Sequence, residues 1–243
     1  MPHVSLRSGK ELRAKPPRRR HWWRWALGGL LALIVLVVVA AVAIIRLQPS
    51  QSPLALPAGA AAAPAGALDG AWHVTTGSVA GFRVRETILG VGNDVTGRTS
   101  DVTGTAVVAT GRVERATFRI SLDAITVNGK ARQPQLVQSL DTAAHPVATT
   151  TLARPVTLPA AFSSGGTITR AAAAMLTLNG ITRPVTVTLS ARRDGTAIEA
   201  AGSLPVAFAD FGIKRPHGYG VFGSLASNGT AEFLLVLAPA AAG

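Results

Sequence analysis

A chain of 243 residues holds one or two domains, and the absence of cysteine excludes disulfides, thiolate chemistry and cysteine-ligated metal. The net charge of +12 suggests nucleic acid until it is divided along the chain: residues through Arg46 carry +8 and the remainder only +4. The remainder shows no lysine or arginine stripe, so no nucleic-acid partner is expected for it.

The first element is a basic tail, 1–24, with Arg18-Arg19-Arg20 at its end. Trp25 to Ile45 then runs 21 residues without charge or proline. As a helix it is roughly 32 Å long, close to the ~30 Å hydrocarbon thickness of a bilayer. Arg24 and Arg46 bracket it, and Trp22, Trp23 and Trp25 stand where an aromatic belt belongs. The reading is one transmembrane helix, 25–45, acting as a signal-anchor. Eight basic residues precede it, so the positive-inside rule puts the N-terminus in the cytoplasm and the C-terminal domain outside it, on the cell membrane. A cleaved signal peptide remains the alternative. Its apolar core is usually shorter, about 7–15 residues, although Ala41-Val42-Ala43 offers a small-residue site. The arginine cluster can be read as a nuclear address, but beside a span it suits anionic headgroups better.

From 46 to 68 the chain turns to Gln, Ser, Pro, Ala and Gly. Pro49, Pro53, Pro57 and Pro64 predict a semi-extended tether rather than a helix. From Asp69 the hydrophobic period becomes two. Strands are predicted over Trp72–Thr75 with Ser78–Thr87, then Thr99–Ala109, Val113–Val127, Ala148–Leu152, Thr169–Leu178, Thr182–Arg192, Ala197–Phe208 and Thr230–Ala238. Asn128-Gly129, Asn179-Gly180 and Asp194-Gly195 supply the positive φ of type I′ hairpins, Asn179-Gly180 most clearly. Asn228-Gly229 precedes the last strand. About eight short strands with tight turns define an all-β sandwich or barrel, 69–239, with a short tail at 240–243.

Catalytic patterns are missing. No HExxH, Walker loop or GxSxG occurs, and Gly90-Val91-Gly92 with Gly97 has the wrong spacing for a phosphate loop. His73, His145 and His217 lack ligand spacing, and no nucleophile stands beside Asp210 and His217. No enzyme activity, catalytic residue, cofactor or metal is expected. Asn228-Gly229-Thr230 fits a glycosylation pattern, which the turn reading also explains.

The order of features resembles the YceI-like family of lipocalin-like, polyisoprenoid-binding proteins from about Leu68 to Ala238. The resemblance is carried by Trp72 and Ser78-Val79-Ala80-Gly81-Phe82, by Gly97 and Val102-Thr103-Gly104, and by Asp123-Ala124-Ile125. Further pieces are Arg132 followed by Leu136, Leu140-Asp141 leading to His145-Pro146, Leu176 through Val185, and Phe208-Ala209-Asp210-Phe211-Gly212-Ile213. Two departures stand out: Asn179 where histidine is usual, and Gln133 where aspartate is common. They bear on headgroup recognition if those groups touch a ligand, and on little if they cap loops.

The resemblance implies an eight-stranded antiparallel barrel with an apolar cavity for an isoprenoid chain, a quinone or a polyprenyl phosphate. Candidate inward residues are Phe82, Val84, Phe118, Ile120, Leu122, Leu176, Leu178, Phe208 and Phe233, each equally explained by core packing. Phe211, Tyr219 and Phe222 would line a mouth or close the barrel end. Arg132 and Lys214 would pair with a phosphate or remain solvated loop charges. The leading function is a membrane-anchored module that holds an isoprenoid lipid beside the bilayer. The alternative is a non-catalytic structural or adhesion module of the cell envelope with a self-filled core.

Overall fold

The computed structural model describes residues 22–46, 51–59, 61–88, 90–127, 138–214 and 223–240. The chain divides into two compact units, Met1–Ile45 and Arg46–Gly243. In the first, α1 spans Trp22–Arg46. Its side chains are described at 28–40, 42 and 43, and from Leu30 to Val39 the large apolar ones are exposed. Among the described residues no helix is long and apolar enough to cross a membrane.

The second unit is built from twelve strand segments: β1 (Gly70–Val74), β2 (Val79–Ile88), β3 (Val91–Thr99), β4 (Val102–Ala109), β5 (Arg112–Ser121), β6 (Thr126–Val127), β7 (Val147–Leu152), β8 (Val156–Thr157), β9 (Ile168–Leu178), β10 (Ile181–Asp194), β11 (Ala197–Ala207) and β12 (Gly223–Pro239). Eight of them form an antiparallel ring in the order β1-β4-β5-β7-β9-β10-β11-β12, which closes when β12 pairs back with β1, Trp72 opposite Pro239. β2 and β3 prolong β1 and β4 past short irregularities, so β12 pairs with β2 between Gly223 and Leu234 and with β1 over Leu237–Pro239. The fold is an eight-stranded, closed, lipocalin-like barrel. Closure leaves no edge between β12 and β1, which is how such barrels avoid edge-to-edge association.

Local sequence explains the turns. Asn179 and Gly180, at φ 52° and 72°, join Leu178 to Ile181 across a two-residue hairpin, as a type I′ turn requires. In the β10–β11 hairpin Asp194 pairs with Ala197, so the loop is Gly195-Thr196, one residue later than the Asp-Gly pair suggests. Asn228-Gly229 does not precede a strand: it lies inside β12, at a bulge between Leu225 and Gly229. A Cβ at Gly229 would press on Val84 Cγ2 at 2.9 Å, which accounts for the glycine without a hairpin. The predicted Val113–Val127 strand breaks after Ser121, where Ile125 N–H donates to Leu122 O before β6 begins. A short helix, α2 (Ala160–Ser163), was not expected. It drives Phe162 into one end of the barrel at 1% exposure. Asn128-Gly129 lies outside the described residues.

The stretch predicted to be a semi-extended tether is bonded to the barrel at several points between 51 and 66. At its start, Arg83 donates to Gln51 O, Arg98 donates to Ser52 O, and Leu54 N–H donates to Glu232 Oε2. Further on, Arg192 donates to Gly59 O, Ala62 N–H donates to Asp194 Oδ1, and Arg193 donates to the carbonyls of Ala65 and Gly66. This strap covers charged side chains of the barrel, so that Arg98, Arg192, Arg193, Glu199 and Glu232 are all buried. Most of them are satisfied by pairing: Glu232 bridges Arg83 and Arg98, both at 2.8 Å, and Arg192 pairs with Glu199 at 2.8 Å. Burial lowers the Arg98 pKa from its ordinary value, against the opposing attraction of Glu232. Prolines still explain why the strap is not helical. Its carbonyls are free to meet arginines because no helix consumes them.

Candidate functional site

Alternation along the ring strands sends one set of side chains inward, and they do not fill the space they enclose. Two apolar chambers remain, of about 190 and 220 Å³. Each exceeds many times over the roughly 10–15 Å³ that one water needs, so neither is a packing defect. Both are walled by Ala80, Ile120, Thr150, Leu204 and Phe233, which form a waist between them. Together the chambers make one bore along the barrel.

The upper chamber is closed at its end by Trp72 and Phe162 and walled by small or aliphatic residues such as Val102, Ala106, Ala174 and Leu237. Trp72 Nε1 donates to Leu68 O at 3.0 Å, so the indole presents no unsatisfied polar group to the cavity. The lower chamber is more mixed. It includes Ser139, Lys214 and Thr230 among apolar side chains, and the exposed Lys214 marks its rim.

Three cavity phenylalanines share one arrangement. Phe82 pairs across the sheet with Gly97, Phe118 with Gly104, and Phe233 with Gly202. A Cβ on any of these glycines would collide with the phenylalanine ring opposite. Each ring therefore rests over a glycine, an aromatic–glycine pairing that suits curved sheets and keeps the ring against the wall of the bore.

The bore brings together nine residues singled out from the sequence. Phe118 lines the upper chamber; Phe82, Val84, Leu122, Leu176, Leu178 and Phe208 line the lower; Ile120 and Phe233 line both. Phe211 is placed differently. It is 2% exposed and packs with Ala174, Leu176 and Val206 without reaching either chamber. Phe222, Tyr219, Arg132, Gln133 and His217 lie outside the described residues. Asn179 caps a loop: its Nδ2 donates to Phe211 O at 3.0 Å, tying the β9–β10 turn to the 3₁₀ turn Phe208–Phe211. Sequence reasoning passed over Phe162 and gave Trp72 no place in the bore. Phe162 carried one usable signal, a lone aromatic in an Ala/Ser/Gly loop. Among the described residues no three His, Cys, Asp or Glu gather to hold a metal ion.

A closed eight-stranded barrel around an apolar bore defines a lipocalin-like binding architecture. The model of the YceI-like domain matches residues 72–233, more than half of the chain, and the chain belongs to that family. No curated protein matches it. Among solved structures it is similar to a polyisoprenoid binding domain from Saccharophagus degradans implicated in plant cell wall breakdown. The two are 18% identical with a TM-score of 0.53, over 70% of this chain and 98% of that one. It is also similar to BcnA of Burkholderia cenocepacia, 17% identical with a TM-score of 0.48, over 65% of this chain and 95% of that one. At 18% identity the likeness to the first of these is one of fold.

Proposed function

We propose that this protein is a membrane-anchored, extracytoplasmic binding protein that holds an isoprenoid lipid, a quinone or polyprenyl phosphate, in its bore for transport, storage or protection, without catalysis. The observation that carries this reading is the two-chambered apolar bore inside a hydrogen-bonded ring. A fifteen-carbon chain buried there gains on the order of 10 kcal/mol gross, at ~0.8 kcal/mol per CH₂, before the costs of binding. Family membership and the polyisoprenoid binding domain of like fold support the choice of ligand. A structural or adhesion module with a self-filled core is disfavoured by the unfilled bore.

The anchor rests on the uncharged run Trp25–Ile45, the basic tail before it, and the exposed apolar side chains of α1, which need a covering that a bilayer provides. Native mass spectrometry of the full chain released from membranes tests the cargo: a non-covalent isoprenoid is expected. A chain that carries none, and takes up none when offered, sinks the reading. The cysteine-free sequence makes topology simple to test. A membrane-impermeant maleimide on intact cells should label Thr196→Cys, in an exposed hairpin, and spare Ser8→Cys; the reverse pattern defeats the proposed orientation.

A further inference from the structure

Every neighbouring pair in the ring is laced by a ladder; those of β1 are short but are continued by β2 and β3, whereas the one between β7 and β9 is short and has no such continuation. β7 pairs with β9 only from Leu152 opposite Ala174 to Thr149 opposite Thr177, with one further bond from Ala153 N–H to Ala173 O. Beyond it the chain turns away, and β8 pairs with β5 instead. Residues 168–172 of β9 therefore have no strand partner on that side among the described residues. Here the wall of the upper chamber is made of side chains: Leu152, Val156, Leu158, Ile168 and Arg170.

Arg170 does not fit the strand around it. Burial alternates along β9, with Ile168, Ala172, Ala174 and Leu176 buried, and Arg170 falls on the same inward phase yet is exposed. Among the described residues it is the only charged side chain lining the upper chamber, whose other polar side chains are Thr150 and the bonded indole of Trp72. Its Nη1 donates to the carbonyl of its own neighbour, Thr169, at 3.2 Å, and among the described residues it has no ion pair. A guanidinium on the rim of an apolar chamber offers a planar fork of donors that matches phosphate or carboxylate oxygens. A surface arginine serving only solubility would sit on the outward phase, as Arg119 does on β5.

We propose that the seam between β8 and β9 is a second mouth of the bore, where Arg170 receives the anionic headgroup, phosphate or carboxylate, of a lipid whose chain fills the upper chamber. This rests on the binding function proposed above and narrows it, because a neutral quinone makes no use of the guanidinium. Lys214, on the rim of the lower chamber, is the competing cation.

The test uses the full chain in phosphatidylcholine nanodiscs loaded equally with farnesol, farnesyl phosphate or farnesoic acid, with native mass spectrometry reading the lipid retained per protein. The wild type should retain at least one of the two anions roughly ten-fold better than farnesol, the magnitude of one charge-assisted hydrogen-bonded pair. Arg170→Gln should abolish that preference while keeping farnesol, Arg170→Lys should recover part of it, and Lys214→Gln and Arg154→Gln, the latter an exposed arginine between β7 and β8, should leave it in place. Retention of farnesol with no preference for either anion overturns the inference, as does a preference that survives Arg170→Gln or disappears in Lys214→Gln. Retention of none of the three by the wild type overturns the binding function itself.

Discussion

Phe233 stands directly across from Gly202, and a Cβ on residue 202 would lie 2.7 Å from Phe233 Cζ. The ring that forms part of the waist is thus held against the wall by the absence of a side chain on the next strand. Gly202→Ala should lower stability by about 1–3 kcal/mol through overpacking, read as a fall in melting temperature. It should also weaken retention of a chain that spans both chambers, because the displaced ring must move into the bore. An unchanged melting temperature would show that both the ring and the Thr188 carbonyl, which such a Cβ would meet at 2.5 Å, can give way.

Filling the bore separates cavity from core. Ala174, 3% exposed, lines the upper chamber. A phenylalanine there projects into empty volume, so Ala174→Phe should cost less than the usual ~1–3 kcal/mol of an overpacked site. Isoprenoid retained per protein should fall at the same time. A variant that melts normally and still binds fully would move the chain out of the upper chamber.

Glu232 holds the strap and two arginines together. Its side chain is 4% exposed and bridges Arg83 and Arg98 while accepting from Leu54 N–H. Glu232→Gln removes the attraction that opposes the burial of Arg98, at a cost on the order of 3 kcal/mol for a broken buried pair. Melting should shift down, and limited proteolysis should cut faster within 51–59. Unchanged cleavage would mean the strap is held mainly from its other end, by Arg192 and Arg193.

Thr110 carries avoidable strain. It sits at φ 50° in the β4–β5 turn, a region β-branched residues seldom adopt, and its N–H donates to Asp69 Oδ2 at 3.0 Å. Thr110→Asn keeps that backbone bond and suits the conformation better, so it should stabilise the barrel by about 1 kcal/mol. A denaturant melt with an unchanged midpoint would place the strain elsewhere.

What the sequence made legible followed from periodicity. The set Phe118-Ile120 and the set Leu176-Leu178 point inward because period two leaves a strand no other choice once one face is apolar. The aromatic–glycine pairs were not legible, since they depend on register between strands that no local pattern states. Asn228-Gly229 misled because the same dipeptide serves a bulge as readily as a turn, and only Val84 opposite distinguishes them. The strap was missed for a different reason. The prolines of 51–66 predict an extended segment, but not that Arg83, Arg98 and Arg192 wait on the barrel for its carbonyls. Arg170 was passed over because a single charge within an alternating strand looks like its polar face until the phase is counted from Ile168.

Asn179 ties the β9–β10 turn to the turn after β11 through its bond to the Phe211 carbonyl. Its Nδ2 is committed to tying two loops together, and its φ of 52° is one that asparagine tolerates well. Replacing it by alanine removes one hydrogen bond and places a less tolerant residue in a left-handed conformation. Each loss is worth about 1 kcal/mol, so Asn179→Ala should destabilise by roughly 1–2 kcal/mol. Asn179→His should stay within about 1 kcal/mol of the wild type, since histidine also enters this region and can donate to the same carbonyl. If the residue works only as a loop tie, the ratio of farnesyl phosphate to farnesol retained will be the same in all three proteins. A ratio that changes in Asn179→His while the melting temperature does not would make this position a headgroup contact after all.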